Sequence, residues 1–418
     1  MNKKLLFSII LFASFGFISN SQNLNDKTNK ANLAAEIDNI IQKQVDQDKI
    51  PGAVIQIKMR KNLIYKHTYG YAQKYDFDHK QLNPLEKMTS KHLFDVASLT
   101  KVIGTTTSIM ILADKGLLNV EDPVSKYIKA FDTPEKREIT IHHLLTHTSG
   151  LYEWYPVYYR ASNKQESYKL IEELPLMFPV GGQRRYSDLG FVLLGEIIEI
   201  VSKLPLEEFM KQNIFIPLGM KNTTFNPLSS GRFKKIAATS HGNPYEKRMV
   251  YDSTLGFKVK DIDPDQWNGW RNYTLKGEVN DGITWYANNG ISGAAGIFST
   301  IDDIQKLVDM LINKGKIGSK EFISKKTIES FLTKDKFSNG IGWMMDPENP
   351  VIKNGPEGTF GHTGFTGTSI AVIPENNISI ILLINRQNMG LMNNGDYFSL
   401  NQIRQQVFEA VLKHNESK

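Results

Sequence analysis

The chain has 418 residues, 40% of them hydrophobic, a formal charge of +6 and no cysteine. That length and composition supply a large core, which excludes a disordered or fibrous protein and leads us to expect two or three lobes around one or two cores. The lack of cysteine excludes disulfides, thiolate metal sites, cysteine nucleophiles and a lipid-modified cysteine. Basic residues are interleaved with acids, as in Glu135, Lys136, Arg137 and Glu138, a pattern of solvated surface and not of a nucleic-acid stripe.

Lys3 and Lys4 precede an apolar run from Leu5 to Ile18, followed by Ser19, Asn20, Ser21 and Gln22. The run is shorter than the roughly 20 residues that cross a bilayer. Residues 1–21 therefore read as a cleaved secretory signal and not as a stable membrane anchor, which would place the mature chain, 22–418, in a periplasmic or extracellular setting.

Leu33, Ile37, Ile40, Ile41 and Val45 fall at helical spacing, so a helix over Asn32 to Val45 opens the mature protein. Pro51 and Gly52 break the chain, and Ala53 to Met59 and Leu63 to Ala72 then form a hairpin around Arg60, Lys61 and Asn62. Val102 to Leu118 is apolar enough for a buried helix ending near Gly116, which puts the preceding Ser98–Lys101 tetrad at a helix N-terminus. Ile141 to Leu145, Phe191 to Val201 and Phe209 to Leu218 are further helices, with an aromatic segment, Tyr152 to Tyr159, between the first two. Residues 252–290 read as long loops, and their Trp267, Trp270, Trp285 and Tyr286 are expected at the lip of a groove. Ile304 to Leu311 and Lys325 to Leu332 are helical, Thr368 to Pro374 and Ile378 to Ile384 form a hairpin, and Leu400 to Leu412 is a last helix.

Strands near both ends with helices between them predict an α+β fold: an antiparallel sheet flanked by the N- and C-terminal helices, with a mostly helical inserted lobe. The sheet lobe is assigned to 30–97 and 292–415, and the helical lobe and loops to 98–291, with the site between them.

Three segments carry chemistry. Ser98, Leu99, Thr100 and Lys101 are the only SxxK tetrad in the chain. A serine hydroxyl needs a neighbouring base, and i and i+3 share a helix face, so Lys101 can reach Ser98. Burial and the positive pole of the helix would lower the lysine pKa. Tyr186 precedes Ser187, Asp188 and an apolar helix. A phenol beside the Lys101 cation would be partly ionised and act as base for Ser98, with Asp188 balancing the lysine or simply capping the helix. Gly361 to Gly367, which includes His362, Thr363, Gly364 and Phe365, precedes a strand. There His362 would hold substrate or Tyr186, and the Phe365 NH would complete an oxyanion hole with that of Ser98. His142, His143 and His147 raise a metal site, but Leu144, Leu145 and Thr146 stand where a catalytic zinc helix carries its glutamate, so neither metal nor cofactor is expected.

The order SxxK, tyrosine triplet and His-Thr-Gly resembles the serine β-lactamase and penicillin-binding superfamily. The tyrosine in the second motif resembles the branch holding class C β-lactamases, DD-carboxypeptidases, D-aminopeptidases and related esterases. The stretches Thr140 to Leu151, Pro217 to Met220, Gly296 to Thr300 and the FGHTGFTGTS run ending at Ser369 are similar as well. The resemblance implies an acyl-enzyme on Ser98, with Lys101 and Tyr186 catalytic and Asp188, His362, Thr363, Gly364 and Phe365 at the substrate and oxyanion sites. It also implies a small-molecule or peptide substrate, cell-wall peptides among the candidates. Two departures bear on substrate. Asp188 stands where the family often has Asn, and His362 where β-lactamases and many DD-peptidases have Lys. Histidine is mostly neutral above about pH 7 and gives a substrate carboxylate no permanent cation, so the chain is more similar to the esterase and aminopeptidase-like members. A DD-carboxypeptidase, a β-lactamase proper and a non-catalytic cell-wall sensor are the competing readings.

Overall fold

The computed structural model describes residues 28–416 apart from 258 and 260. The expected signal, 1–21, lies outside the described residues. Helix α1 (28–46) leads into β1 (Gly52–Met59) and β2 (Asn62–Tyr75). Their two-residue turn puts Arg60 and Lys61 at φ 49° and 69°, the geometry that matches the right-handed twist of paired strands. An exposed edge strand, β3 (Gln81–Lys87), follows; its polar sequence has no alternation to announce it.

β4 (Phe94–Asp95) runs into the SxxK segment, after which a π-helical stretch, Lys101–Thr106, continues as α2 (Thr107–Asp114). The middle of the chain holds α3 (Ile141–Leu145), α4 (Lys164–Glu173), α5 (Asp188–Ser202) and α6 (Leu206–Met210), then β5 (Thr224–Phe225) and α7 (Pro244–Tyr251). The last part contains β6 (Ile297–Ser299), α8 (Ile301–Ile312), the small pair β7 (Lys316–Ile317) and β8 (Lys320–Glu321), α9 (Lys325–Phe331), β9 (Phe360–Thr363), β10 (Thr368–Ile373), β11 (Ile378–Ile384) and α10 (Asn401–Glu416).

The main sheet has the order β3-β2-β1-β11-β10-β9 with every pair antiparallel, so strands from the two ends of the chain meet at its centre. Successive side chains point to opposite faces of a strand, and here both faces are buried. Ala53, Ile55 and Ile57 with Ile378, Ile380 and Leu382 pack on one face beneath Leu33, Ile37 and Ile41 of α1 and Ile403, Val407 and Phe408 of α10. Val54, Ile370, Val372, Ile381 and Leu383 face the larger core, which includes α8 and the inserted helices. Burying each such side chain is worth about 1.5–3 kcal/mol. This α+β arrangement has its sheet flanked by the terminal helices. The three-stranded sheet β4-β6-β5 couples the strand before Ser98 to the segment after residue 290.

Between α8 and the sheet the packing is partly polar. Gln56 donates to Gln305 Oε1 at 3.0 Å, Gln305 donates to Ser379 Oγ at 3.0 Å, and Lys58 pairs with Asp309 at 2.7 Å. Gln56, Gln305 and Ser379 are all buried, so each depends on the others for satisfaction. Gln305→Ala leaves Gln56 and Ser379 unpaired and is expected to cost about 2 kcal/mol in urea unfolding; a change within a few tenths of a kcal/mol would show that the seam contributes nothing.

Candidate active site

Ser98 lies on a backbone elbow. Ala97, immediately before it, has φ 46°, a left-handed conformation that costs a residue with a side chain on the order of 1 kcal/mol. Several bonds hold the elbow: Ala97 NH donates to Asp95 Oδ1 at 2.9 Å, Val96 NH to Ile297 O at 3.1 Å, and Ile297 NH to Thr100 Oγ1 at 3.1 Å. Leu99, Thr100 and Lys101 NH groups bond back to residues 96, 97 and 98, so the chain turns into the helix directly after the serine. Asp95 is fully buried, and burial raises its carboxyl to about 6 despite hydrogen bonds from the Asn280 and Ala97 NH groups.

The Lys101 side chain is sealed from solvent. Its Nζ lies 2.7 Å from Asp188 Oδ1, 2.9 Å from Ala294 O and 3.1 Å from Ser98 Oγ. Asp188 is free to make this pair because Ser187 caps α5 instead, accepting from Gly190 NH at 3.1 Å. Burial alone would lower the ammonium pKa; the Asp188 carboxylate, with Tyr186 and Asp281, more than reverses this and holds Lys101 above its ordinary value. The sequence-based expectation of a lowered lysine is thus corrected. The Ala294 carbonyl reaches Lys101 because α5 passes close to the preceding residue: a Cβ at Gly293 would stand 2.1 Å from Phe191 O.

Tyr186 lines the same cavity as Ser98, with Lys101 Nζ 5.2 Å from its ring centroid. Burial raises its phenol most and Asp188 adds to it, outweighing the lowering by Lys101, so the resting group is a phenol and not the partly ionised form expected from sequence. Its ring is stacked on His147 with centroids 4.3 Å apart and has His362 on it at 6.2 Å. His147 Nδ1 accepts from Ser187 NH at 3.0 Å. Burial, with Arg184 and Lys101 nearby, keeps that imidazole well below its ordinary pKa. The histidine considered as a metal ligand is therefore a neutral support for Tyr186. His143 closes a capping box with Thr140 at the start of α3.

Thr366 Oγ1 donates to Asp95 O at 2.7 Å and Thr368 Oγ1 to Val96 O at 3.0 Å, lashing the third motif to the serine elbow. At Gly364 a Cβ would fall 2.4 Å from Val96 O, so only glycine permits this approach. Phe365 faces the cavity beside Ser98; His362, Thr363 and Gly364 are not part of its lining. His362 is 1% exposed, its Nδ1 is 2.9 Å from Thr363 O, and burial, with Lys101 nearby, lowers its pKa to about 3. It is a neutral group behind Tyr186.

Ser98, Lys101, Tyr186 and Asp188 open into a cavity of about 310 Å³. Its apolar walls are Trp154, Tyr245, Met249, Phe257, Phe365 and Tyr397, and Asn280 and Asp281 also line it. The aromatic residues expected at the lip lie elsewhere: Trp267, Trp270 and Tyr286 cluster around Tyr158, and Trp285 packs on Arg271. Asp281, Glu246, Tyr245 and Tyr397 escaped sequence reasoning because they lie on separate loops and the short helix α7 with no motif linking them. An alcohol, an ammonium and a phenol converging on a partly open cavity can support nucleophilic acyl transfer.

Residues 37–401 match the family model described as Beta-lactamase. A putative D-alanyl-D-alanine carboxypeptidase of Salmonella heidelberg is 31% identical over 381 residues, covering 85% of this chain and 83% of that protein. Among solved structures, a class C beta lactamase superposes with a TM-score of 0.68 at 18% identity, over 92% of this chain and 99% of the other. The D-amino acid amidase of Ochrobactrum anthropi SV3, complexed with L-phenylalanine amide, gives 0.63 at 20% identity, over 92% and 99%.

Because His362 is neutral when folded and titrates near 6.5 when unfolded, the unfolded state binds more protons as pH falls. The stability it contributes is present above pH 6.5 and is lost progressively toward pH 3. Between pH 7 and 5 this residue alone is expected to withdraw about 2 kcal/mol. His362→Asn should flatten the pH dependence of the urea midpoint by that amount; an unchanged slope would refute it.

Proposed function

The chain belongs to the beta-lactamase family of serine hydrolases, and from that premise we propose that it works through an acyl-enzyme on Ser98 and acts on esters or on amides containing D-amino acids. The observation that carries this reading is the 3.1 Å contact of Lys101 Nζ with Ser98 Oγ in a cavity that Tyr186 also lines, its ring 5.2 Å from the same ammonium.

In the resting site Lys101 is an ammonium and Tyr186 a phenol. As Ser98 Oγ bonds to the acyl carbon, its proton passes to the Tyr186 oxygen while the phenolic proton moves to the leaving group, which departs neutral. Lys101 stabilises the negative charge that builds on the serine and tyrosine oxygens during transfer. The NH groups of Ser98 and Phe365 bind the acyl oxygen as it becomes an oxyanion. Water then takes the place of the leaving group: it bonds to the acyl carbon, gives its proton to Tyr186, and the proton returned to Ser98 restores the enzyme and frees the acid.

A DD-carboxypeptidase is the second reading, favoured by the name of the Salmonella relative. Against it, His362 is neutral and Lys101 is already paired with Asp188, so among the described residues the cavity offers a terminal carboxylate no free cation. Purified protein should be labelled at Ser98 by a fluorophosphonate, and Ser98→Ala should abolish hydrolysis of activated esters; turnover retained in that variant would end the acyl-enzyme reading. Faster hydrolysis of a D-Ala-D-Ala peptide than of neutral esters or D-aminoacyl amides would move the assignment to the carboxypeptidases.

Activated esters need no proton on their leaving group, so the ionised phenol is the better base and kcat/KM should rise with pH on the alkaline side of neutrality. Asp188 raises both Lys101 and Tyr186. Asp188→Asn removes that influence and should move the rising limb toward lower pH by about one unit; a limb that stays in place or moves to higher pH would contradict the assignment.

A further inference from the structure

Among the described residues, four carboxyl groups line the cavity, Glu153, Asp188, Glu246 and Asp281, against the single cation Lys101. Asp188 is committed to Lys101 at 2.7 Å, and Glu153 Oε1 lies 3.3 Å from Arg185. Asp281 and Glu246 have no such partner in the lining. Arg271, the other guanidinium near Glu246, stays outside the cavity, bonded to Asn243 Oδ1 at 3.1 Å and Asn280 O at 3.0 Å. Glu246 Oε2 accepts from Gly282 NH at 2.9 Å and from Asn243 Nδ2 at 3.3 Å, whereas its buried Oε1 meets no donor in hydrogen-bonding geometry, the Tyr158 hydroxyl being its neighbour.

Glu246 and Asp281 are half-buried carboxyls near one another, a costly arrangement that the attraction of Lys101 for Asp281 and of Arg271 for Glu246 offsets only in part. Burial, with Asp281 adding, pushes Glu246 up to about 8, and burial with Asp188 nearby raises Asp281. The rings of Trp154, Tyr245, Phe257, Phe365 and Tyr397 line the same space. Aromatic faces attract organic cations, and more strongly where water is excluded. Carboxyls without a direct ion-pair partner and aromatic walls are independent features that both call for a positive guest.

We propose that Asp281 and Glu246 form a subsite for a protonated amine, so that the enzyme prefers acyl donors carrying an ammonium group over neutral or carboxylate-bearing ones. This rests on the acyl-enzyme reading for its kinetic consequence, but the subsite itself is a property of the cavity. An ammonium between the two carboxyls takes over the part now played by the proton that Glu246 retains.

The para-nitrophenyl esters of β-alanine, butyric acid and succinic acid present an ammonium, a methyl and a carboxylate at the same distance from the acyl carbon. The wild-type enzyme should favour the ammonium ester over the neutral one by at least about tenfold in kcat/KM, equivalent to about 1.4 kcal/mol, with the carboxylate ester last. In Asp281→Asn/Glu246→Gln the ammonium-to-neutral ratio should fall to within about threefold. A wild-type ratio of one or less, or a ratio that survives in the double variant, overturns the proposal. Failure of the acyl-enzyme reading would be seen separately, as ester turnover surviving in Ser98→Ala. That variant also tests the subsite without catalysis: by calorimetry it should bind 2-phenylethylamine at least about tenfold more tightly than 2-phenylethanol, and equal binding overturns the subsite whatever the esters do.

Discussion

An ammonium ion removed from water must find its compensation inside the protein, and Lys101 finds it in three places drawn from distant parts of the chain. Asp188 comes from the start of α5, Ala294 from the segment leading to β6, and Ser98 from its own turn. Meeting that electrostatic demand fixes the mutual position of these segments, and the groups that surround the ion are the same ones that surround the reacting oxygen. Tyr186 then stands next to Lys101 with its ring supported by His147. The small sheet β4-β6-β5 and the threonines of the third motif hold the serine elbow against this cluster.

The charge state of the site follows from one position. An amide at 188 would leave the lysine with burial pressing its pKa down; a carboxylate there keeps it protonated and also keeps the neighbouring phenol intact. In the mechanism we propose, proton movement is then a relay through Tyr186 in place of simple abstraction by a neutral amine. His362 adds no positive charge behind Tyr186, and among the described residues four carboxyl groups line the cavity against one lysine, the two features on which the proposed preference for positive charge rests.

Much of this was legible in the primary structure. Ser98 and Lys101 are three apart at a helix start, a local relation that spacing reveals, and the apolar runs of β1, β10 and β11 announced a sheet built from both ends. Local polar choices were less visible. Whether Ser187 or Asp188 caps α5 decides whether the carboxylate is free for Lys101, and either residue is a good cap. The partnership of Asp281 with Glu246 depends on Asn243 reaching the Asn280 carbonyl across two loops, which no periodicity encodes. The aromatic segment 252–290 was placed near the groove by composition, but its tryptophans pack on Tyr158 and Arg271, where their area is better buried.

The pairing of β1 with β11 has a consequence for how the molecule comes into being. Ala53 aligns with Ile384, so the innermost strand of the sheet has no neighbour on one side until nearly the whole polypeptide has left the ribosome. Until then β1 is an unfinished edge whose buried faces lie uncovered, the kind of surface that invites association with other chains. Contacts this remote in sequence form slowly. Interrupting synthesis anywhere before the last hairpin therefore yields a fragment in which neither the centre of the sheet nor the seat of α8 upon it exists.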